Sequence, residues 1–324
     1  MLDRFSYASR LNHVFSLAEE LKWQGIPTAV VVTDCPPRDR AILQRCYQRR
    51  VPFYTNLTQE GILDIARRSQ ASLVHVHSLH LLSLAHKIAR QLQIPYGITV
   101  HEKASYNQYL PLFQQADFII TPAPSLWSLL NVNNLTAVYL PEGVNLEEFQ
   151  PPPVKGELKA AYIAEKDGYT RSGYQALLKA AAMADLHLEV VCPEKIVPLR
   201  GQYRGWLPLN AEILRETQMV IGQGRSIIEG MACGNAALLL GYSYRGLIQP
   251  SQYAALDTLD LVGSEYPDTC YRNIFYDLAR LLKDPDFLAS LQAWGRRYVL
   301  ENHDLHLIAE RTAQIYKKSL STKK

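Results

Sequence analysis

Hydrophobic positions along the 324-residue chain follow two alternating patterns. Short runs rich in β-branched residues predict strands: TAVVVT (28–33), SLVHVH (72–77), YGITV (96–100) and DFIIT (117–121). Between them, LNHVFSLAEELKWQG (11–25) and LHLLSLAHKIARQLQ (79–93) carry apolar residues at helical spacing, the first closed by a glycine. The rhythm breaks at the proline-rich EFQPPPVKGE (148–157), which reads as a linker. It resumes with KAAYIA (159–164), LHLEVV (186–191), QMVIG (218–222) and AALLL (236–240) as further strands. From Tyr271 onward three helical segments close the chain. Alternating strands and helices give parallel sheets buried on both faces. The expectation is an α/β protein of two Rossmann-like, doubly wound domains, residues 1–150 and 151–303, with a last helix over 304–324 packing back on the first. Ligands in such sheets sit beyond the carboxyl ends of the strands, and the cleft between two domains is the default site.

Composition narrows the classes. With 48% hydrophobic and 20% charged residues the chain is globular. No apolar run reaches the roughly 18 residues of a membrane helix, and MLDRFSYASR carries no apolar targeting segment. Five scattered cysteines with no CxxC pair point to reduced thiols in the cytoplasm and to no zinc site. A net charge of +3 does not suggest a nucleic-acid partner. RDRAILQRCYQRR (38–50) has five arginines against one aspartate. It reads as an amphipathic helix with a solvated face, the alternative being peripheral contact with an anionic bilayer at the inner face of the membrane.

The stretch IGQGRSIIEGMACG (221–234) carries the most chemistry. A strand ends, Gly222 and Gly224 make a turn, a helix starts at Arg225 and Gly234 stops it. Glycines let backbone amides approach an anion, the helix start adds partial positive charge, and Arg225 adds a full one, a combination suited to a diphosphate. Ser226 and Glu229 have the spacing of a capping box. The other reading of Glu229 is a carboxylate that accepts hydrogen bonds from a ribose diol. A Rossmann dinucleotide site is disfavoured, since the third glycine and the later acid are missing.

GRSIIEGMACGNAALLLG resembles the donor-binding signature of GT-B fold glycosyltransferases, retaining family 4 in particular. Four other stretches resemble that family in the same order: 72–102, LPEGVNLEEFQP (140–151), RSGYQALLKAA (171–181) and 281–304. The resemblance implies transfer of a sugar, with retention, from a nucleotide-diphosphate donor to a glycan, lipid-linked or small-molecule acceptor, without a metal or other cofactor. It assigns Glu229 to the nucleotide ribose, and Gly222, Gly224, Arg225 and Ser226 to the diphosphate. Lys166 and Arg171 fall on the family's diphosphate-neutralising cations, and His101 on the histidine that faces the donor sugar. The loop holding Ser9 and Arg10 would shape the acceptor side. His75 and His77 share one face at the end of an earlier strand, where structural roles are favoured over a metal pair.

Three departures stand out. Ile221 takes the place of the family's first glutamate, Glu142 replaces an asparagine as a minor change of turn, and MLDRF leaves only a stub for the first strand, which is still expected to pair. The rival readings are a GT-B nucleotide-sugar epimerase, which needs acid/base groups that the sequence does not identify, and a non-catalytic relative that binds a sugar nucleotide.

Overall fold

The computed structural model describes the chain apart from residues 7–9, 48–49, 102–107, 153–156, 165–169, 208–209, 242, 254–269 and 323–324, and describes the backbone alone at 170–172 and 252–253. Two compact units result. The first is built from Met1–Ser6, Arg10–Gly143 and Leu305–Lys324, and the second spans Val144–Asp304.

In chain order the first unit contains β1 (Leu2–Arg4), α1 (Arg10–Trp23), β2 (Val30–Thr33), α2 (Pro37–Tyr47), β3 (Phe53–Thr55), α3 (Gln59–Arg68) and β4 (Val74–Val76). It continues with α4 (Leu82–Leu92), β5 (Tyr96–Thr99), α5 (Leu110–Phe113), β6 (Phe118–Thr121), α6 (Pro124–Val132) and β7 (Ala137–Tyr139). The second unit contains β8 (Lys159–Ile163), α7 (Thr170–Met183), β9 (His187–Val191), β10 (Gly201–Tyr203), α8 (Ala211–Glu216) and β11 (Met219–Gly222). There follow α9 (Arg225–Ala232), β12 (Ala236–Leu240), β13 (Tyr244–Leu247), α10 (Pro250–Tyr253), α11 (Tyr271–Lys283) and α12 (Pro285–Asn302). The last helix, α13 (Leu305–Thr322), belongs to the first unit.

The first sheet has the order β3-β2-β1-β4-β5-β6-β7, with every pairing parallel. MLDRF does pair: β1 is central, against β2 on one side and β4 on the other, so the strand order reverses beside it. Its two faces follow the period of 2. Ile119 packs with Ile98, Leu126 and Leu130. Phe118 and Ile120 turn the other way, onto Leu17 and Leu21 of α1 and Ile308, Ala309, Ala313 and Tyr316 of α13.

The second sheet has the order β10-β9-β8-β11-β12-β13. It is parallel except for β13, which runs antiparallel to β12 and corrects the expectation of a wholly parallel sheet. The hydrophobic pattern also gives no sign of β3, β7 and β10. These are three-residue edge strands with partly exposed side chains, so they carry no apolar run. In α2, Arg38, Arg40 and Arg45 are exposed and Asp39 is buried. No helix among the described residues is long and apolar enough to cross a membrane.

One close approach fixes the helix that matters most for the site. A Cβ on Gly230 of α9 would stand 2.5 Å from Val220 Cβ of β11, so the helix rests directly on its strand. Gly230→Ala is therefore expected to cost about 3 kcal/mol, the upper end of ordinary overpacking. Val220→Ala should not rescue it, because the clashing Cβ remains. Urea unfolding of the two variants checks this.

Candidate active site

In the second unit, β11 delivers Gly222 to the carboxyl edge of the sheet, between β8 and β12. A Cβ there would lie 2.6 Å from Ile163 O and 2.8 Å from Ser226 Oγ, so only glycine closes this turn without displacing backbone. Gly224 is the N-cap of α9 at φ 57° and ψ −132°, a conformation that L side chains avoid, and its Cα faces open space. The first amides of α9 thus follow a bare glycine turn, which is the geometry that favours an anion.

Glu229 does not form the capping box. The N-cap is Gly224, with no side-chain cap, and Ser226 instead donates its hydroxyl to Gln223 O at 2.8 Å. Glu229 and Arg225 are one helical turn apart and bonded to each other: Arg225 Nε donates to Glu229 Oε1 at 2.7 Å, with side-chain exposures of 0% and 2%. Arg225, the residue assigned to the diphosphate, is thus enclosed beside Glu229 at the start of α9. A buried carboxylate that keeps its charge needs such a partner. Arg225 is the group that holds Glu229 in place.

Ile221 is also clarified. It is fully buried in β11, in register with Tyr162 and Leu238, and packs in a core with Leu177 and Leu278. Its side chain belongs to the apolar interior, and the residue at the turn itself is Gln223. Of the cations expected at a diphosphate, Lys166 lies outside the described residues and Arg171 is in the first turn of α7. Ser9 is likewise outside the described residues.

The first unit gathers a polar cluster at the strand-order reversal. His101, two residues past β5, is 7% exposed in its side chain. Its Nδ1 is 3.0 Å from Glu142 Oε1 and its Nε2 is 3.3 Å from His77 Nδ1. His13 of α1 stands edge-on to both His77 and His101, with ring centroids 5.9 and 5.6 Å away. Asp3 of β1 is fully buried, and Arg10 Nε at the start of α1 is 3.3 Å from its carboxylate. Burial pushes Asp3 above the usual carboxylate range, against the opposing pull of Arg10 and His101. Burial, reinforced by neighbouring positive groups, holds His75 and His77 well below the ordinary histidine value.

The two histidines of SLVHVH therefore separate. His75 bonds Tyr316 Oη of α13 through Nδ1 at 2.6 Å and Thr99 Oγ1 through Nε2 at 2.8 Å, which ties α13 to the sheet. His77 instead joins His101. No group of three or more metal-ligating side chains forms among the described residues. Glu142, treated in the sequence as a turn change, is the carboxylate partner of His101, and Asp3 and His13 also escape sequence reasoning. The signal for Glu142 was its charge at a position where the resembling family has asparagine.

Residues 12–148 match the family model of Glycosyltransferase Family 4. Over those residues the chain is similar to Glycosyltransferase Family 4, and its fold is GT-B. Solved structures share this fold along almost the whole length. HepE from Anabaena in complex with UDP and glucose has 11% identity, coverage of 99% of each chain and a TM-score of 0.70. Sucrose-phosphate synthase from Thermosynechococcus elongatus has 15% identity, the same coverages and a TM-score of 0.70. UDP-GlcNAc 2-epimerase from Neisseria meningitidis bound to UDP-GlcNAc has 12% identity, covers 98% of this chain with 99% of its own, and has a TM-score of 0.63. At these identities the likeness is one of fold. A search of curated proteins found no match. In this GT-B protein the glycine turn and Glu229 lie at the carboxyl edge of the second sheet, and the histidine cluster lies at the carboxyl edge of the first.

Proposed function

We propose that this protein transfers a sugar, with retention, from a nucleotide-diphosphate sugar to a hydroxyl of a glycan, lipid-linked or small-molecule acceptor. The observation that carries the reading is the bare glycine turn of Gly222–Gly224 leading into α9, with the charged Glu229 one turn further on. The family match over 12–148 and structural neighbours solved with UDP or a UDP-sugar support it. The diphosphate would meet the first amides of α9, and the ribose diol would donate to Glu229. His101 is the residue assigned to the sugar. Breaking the sugar–phosphate bond leaves negative charge on the diphosphate, and fixed dipoles aimed there stabilise the transition state. In this reading Lys166 and Arg171 add the full charges, so no metal is required.

The test is a thermal-shift and calorimetric screen with UDP, UDP-glucose and UDP-GlcNAc alongside the other nucleoside diphosphates. A ligand at 100 times its Kd should add about 2.7 kcal/mol of stability. Glu229→Gln should remove most of that gain while leaving the protein folded. No stabilisation by any nucleoside diphosphate or its sugars at millimolar concentration would sink the reading.

A second reading, nucleotide-sugar epimerisation, is favoured by one observation: the Glu142–His101–His77 contacts supply acid/base groups of the kind that it needs. Incubation with a nucleotide sugar and no acceptor separates the two. A changed sugar still attached to its nucleotide would identify the epimerase.

A further inference from the structure

Glu142 has no counterpart in the resembling family pattern, which places asparagine at that position, yet its carboxylate bonds the one histidine assigned to the sugar. Two elements converge to make the contact: His101 leaves the central strand β5, and Glu142 comes from the segment after β7. With a carboxylate oxygen 3.0 Å from Nδ1, that nitrogen must carry the proton, since a carboxylate only accepts. Neutral His101 then keeps its lone pair on Nε2. Asparagine could accept or donate at the same place, so it would not fix the tautomer.

The surroundings give the arrangement a direction. His77, 2% exposed, faces Nε2 through its own Nδ1. Burial holds His77 well below the ordinary histidine value, and with no proton on Nε2 of His101 the contact between them has His77 Nδ1–H as its donor. Asp3, His13, Arg10, His75 and the Met1 amino group are further charged and titratable groups around the cluster.

We infer that Glu142 is the positioning residue for His101, fixing it as the Nδ1–H tautomer with Nε2 as the acceptor that meets His77 Nδ1. The assignment rests on the transferase reading for the substrate but not for the tautomer. Glu142 acts on the orientation and charge of the imidazole and does not itself touch the sugar.

The test uses the full chain and two readouts. Long-range proton–nitrogen correlation spectra of the histidine rings should show His101 protonated at Nδ1 in the wild type, and a mixed or reversed tautomer in Glu142→Gln and Glu142→Asn. Steady-state turnover of whichever nucleotide sugar binds should fall on the order of 10²-fold in kcat for both variants, the low end of what a proton-handling side chain contributes. KM for that nucleotide sugar should stay within about twofold. Glu142→Asp should recover part of the loss. In a His101→Ala background the Glu142→Gln change should cost nothing further. An unchanged His101 tautomer in Glu142→Gln overturns the inference whatever the activity, and so does a changed tautomer with wild-type kcat. Nucleotide binding by calorimetry, a property of the second unit, reports separately on the transferase reading.

Discussion

Arg225→Ala is expected to destabilise the second unit by about 3–5 kcal/mol and to abolish nucleotide binding. The cause is the position of the pair. Arg225 and Glu229 have side-chain exposures of 0% and 2%, and they face each other at 2.7 Å across one turn of α9. Truncating the arginine leaves a carboxylate in the interior with its principal countercharge gone, and the cost of that desolvated charge exceeds the worth of the bond that was lost. The double variant Arg225→Leu/Glu229→Met should behave differently. Replacing both charges with apolar side chains of similar size is expected to restore stability to within about 1 kcal/mol of the wild type or better, as at other buried ion pairs. It should still fail to bind a nucleotide, because Glu229 is the proposed ribose acceptor. Urea unfolding paired with calorimetry on the two variants reads both quantities. Equal stabilities for Arg225→Ala and the double variant would show that the pair is not a coupled, buried unit.

Acid should weaken the first unit more steeply than its carboxylates explain. His75 and His77 are held below the ordinary value of 6.5 in the folded state. Above pH 6.5 both are neutral, folded or unfolded, and contribute nothing to the pH dependence. As the pH falls below 6.5 the unfolded chain takes up two protons that the folded chain refuses, so stability declines until the lowered folded values are reached. Each histidine contributes up to about 1.4 kcal/mol per pH unit, and the two together about 2.7. Asp3 acts in the opposite sense upward from its unfolded value of 3.8, because the folded state keeps its proton longer. The measurement is therefore a difference. The slope of stability against pH between 6.5 and 5 should be smaller in His75→Asn/His77→Asn than in the wild type. Parallel curves for the two proteins would refute the assignment of these histidines as buried and neutral.

The alternation of apolar runs with helical segments was enough to determine two α/β units. A strand buried on both faces must be apolar throughout, as AALLL is, and an amphipathic helix must repeat its apolar residues every three to four positions. The glycine turn before α9 was legible for a similar reason: only glycine adopts the backbone found at Gly224 without strain. The short edge strands β3, β7, β10 and β13 were not legible, because half-exposed three- and four-residue segments carry no periodicity to detect.

Only the tertiary structure decided what the charged residues do. Spacing alone allowed Glu229 to cap a helix or bind a ribose, and allowed Arg225 to face an anion. Enclosure of both side chains made them partners. Ile221, conspicuous as text, is an ordinary core residue because strand alternation turns it inward. Glu142, inconspicuous as text, meets His101 across 41 positions of chain. Hydrophobic periodicity is a local property, so the sequence displays it directly. A hydrogen bond between distant residues depends on strand order and on where each strand ends, and that information exists only once the sheet is assembled.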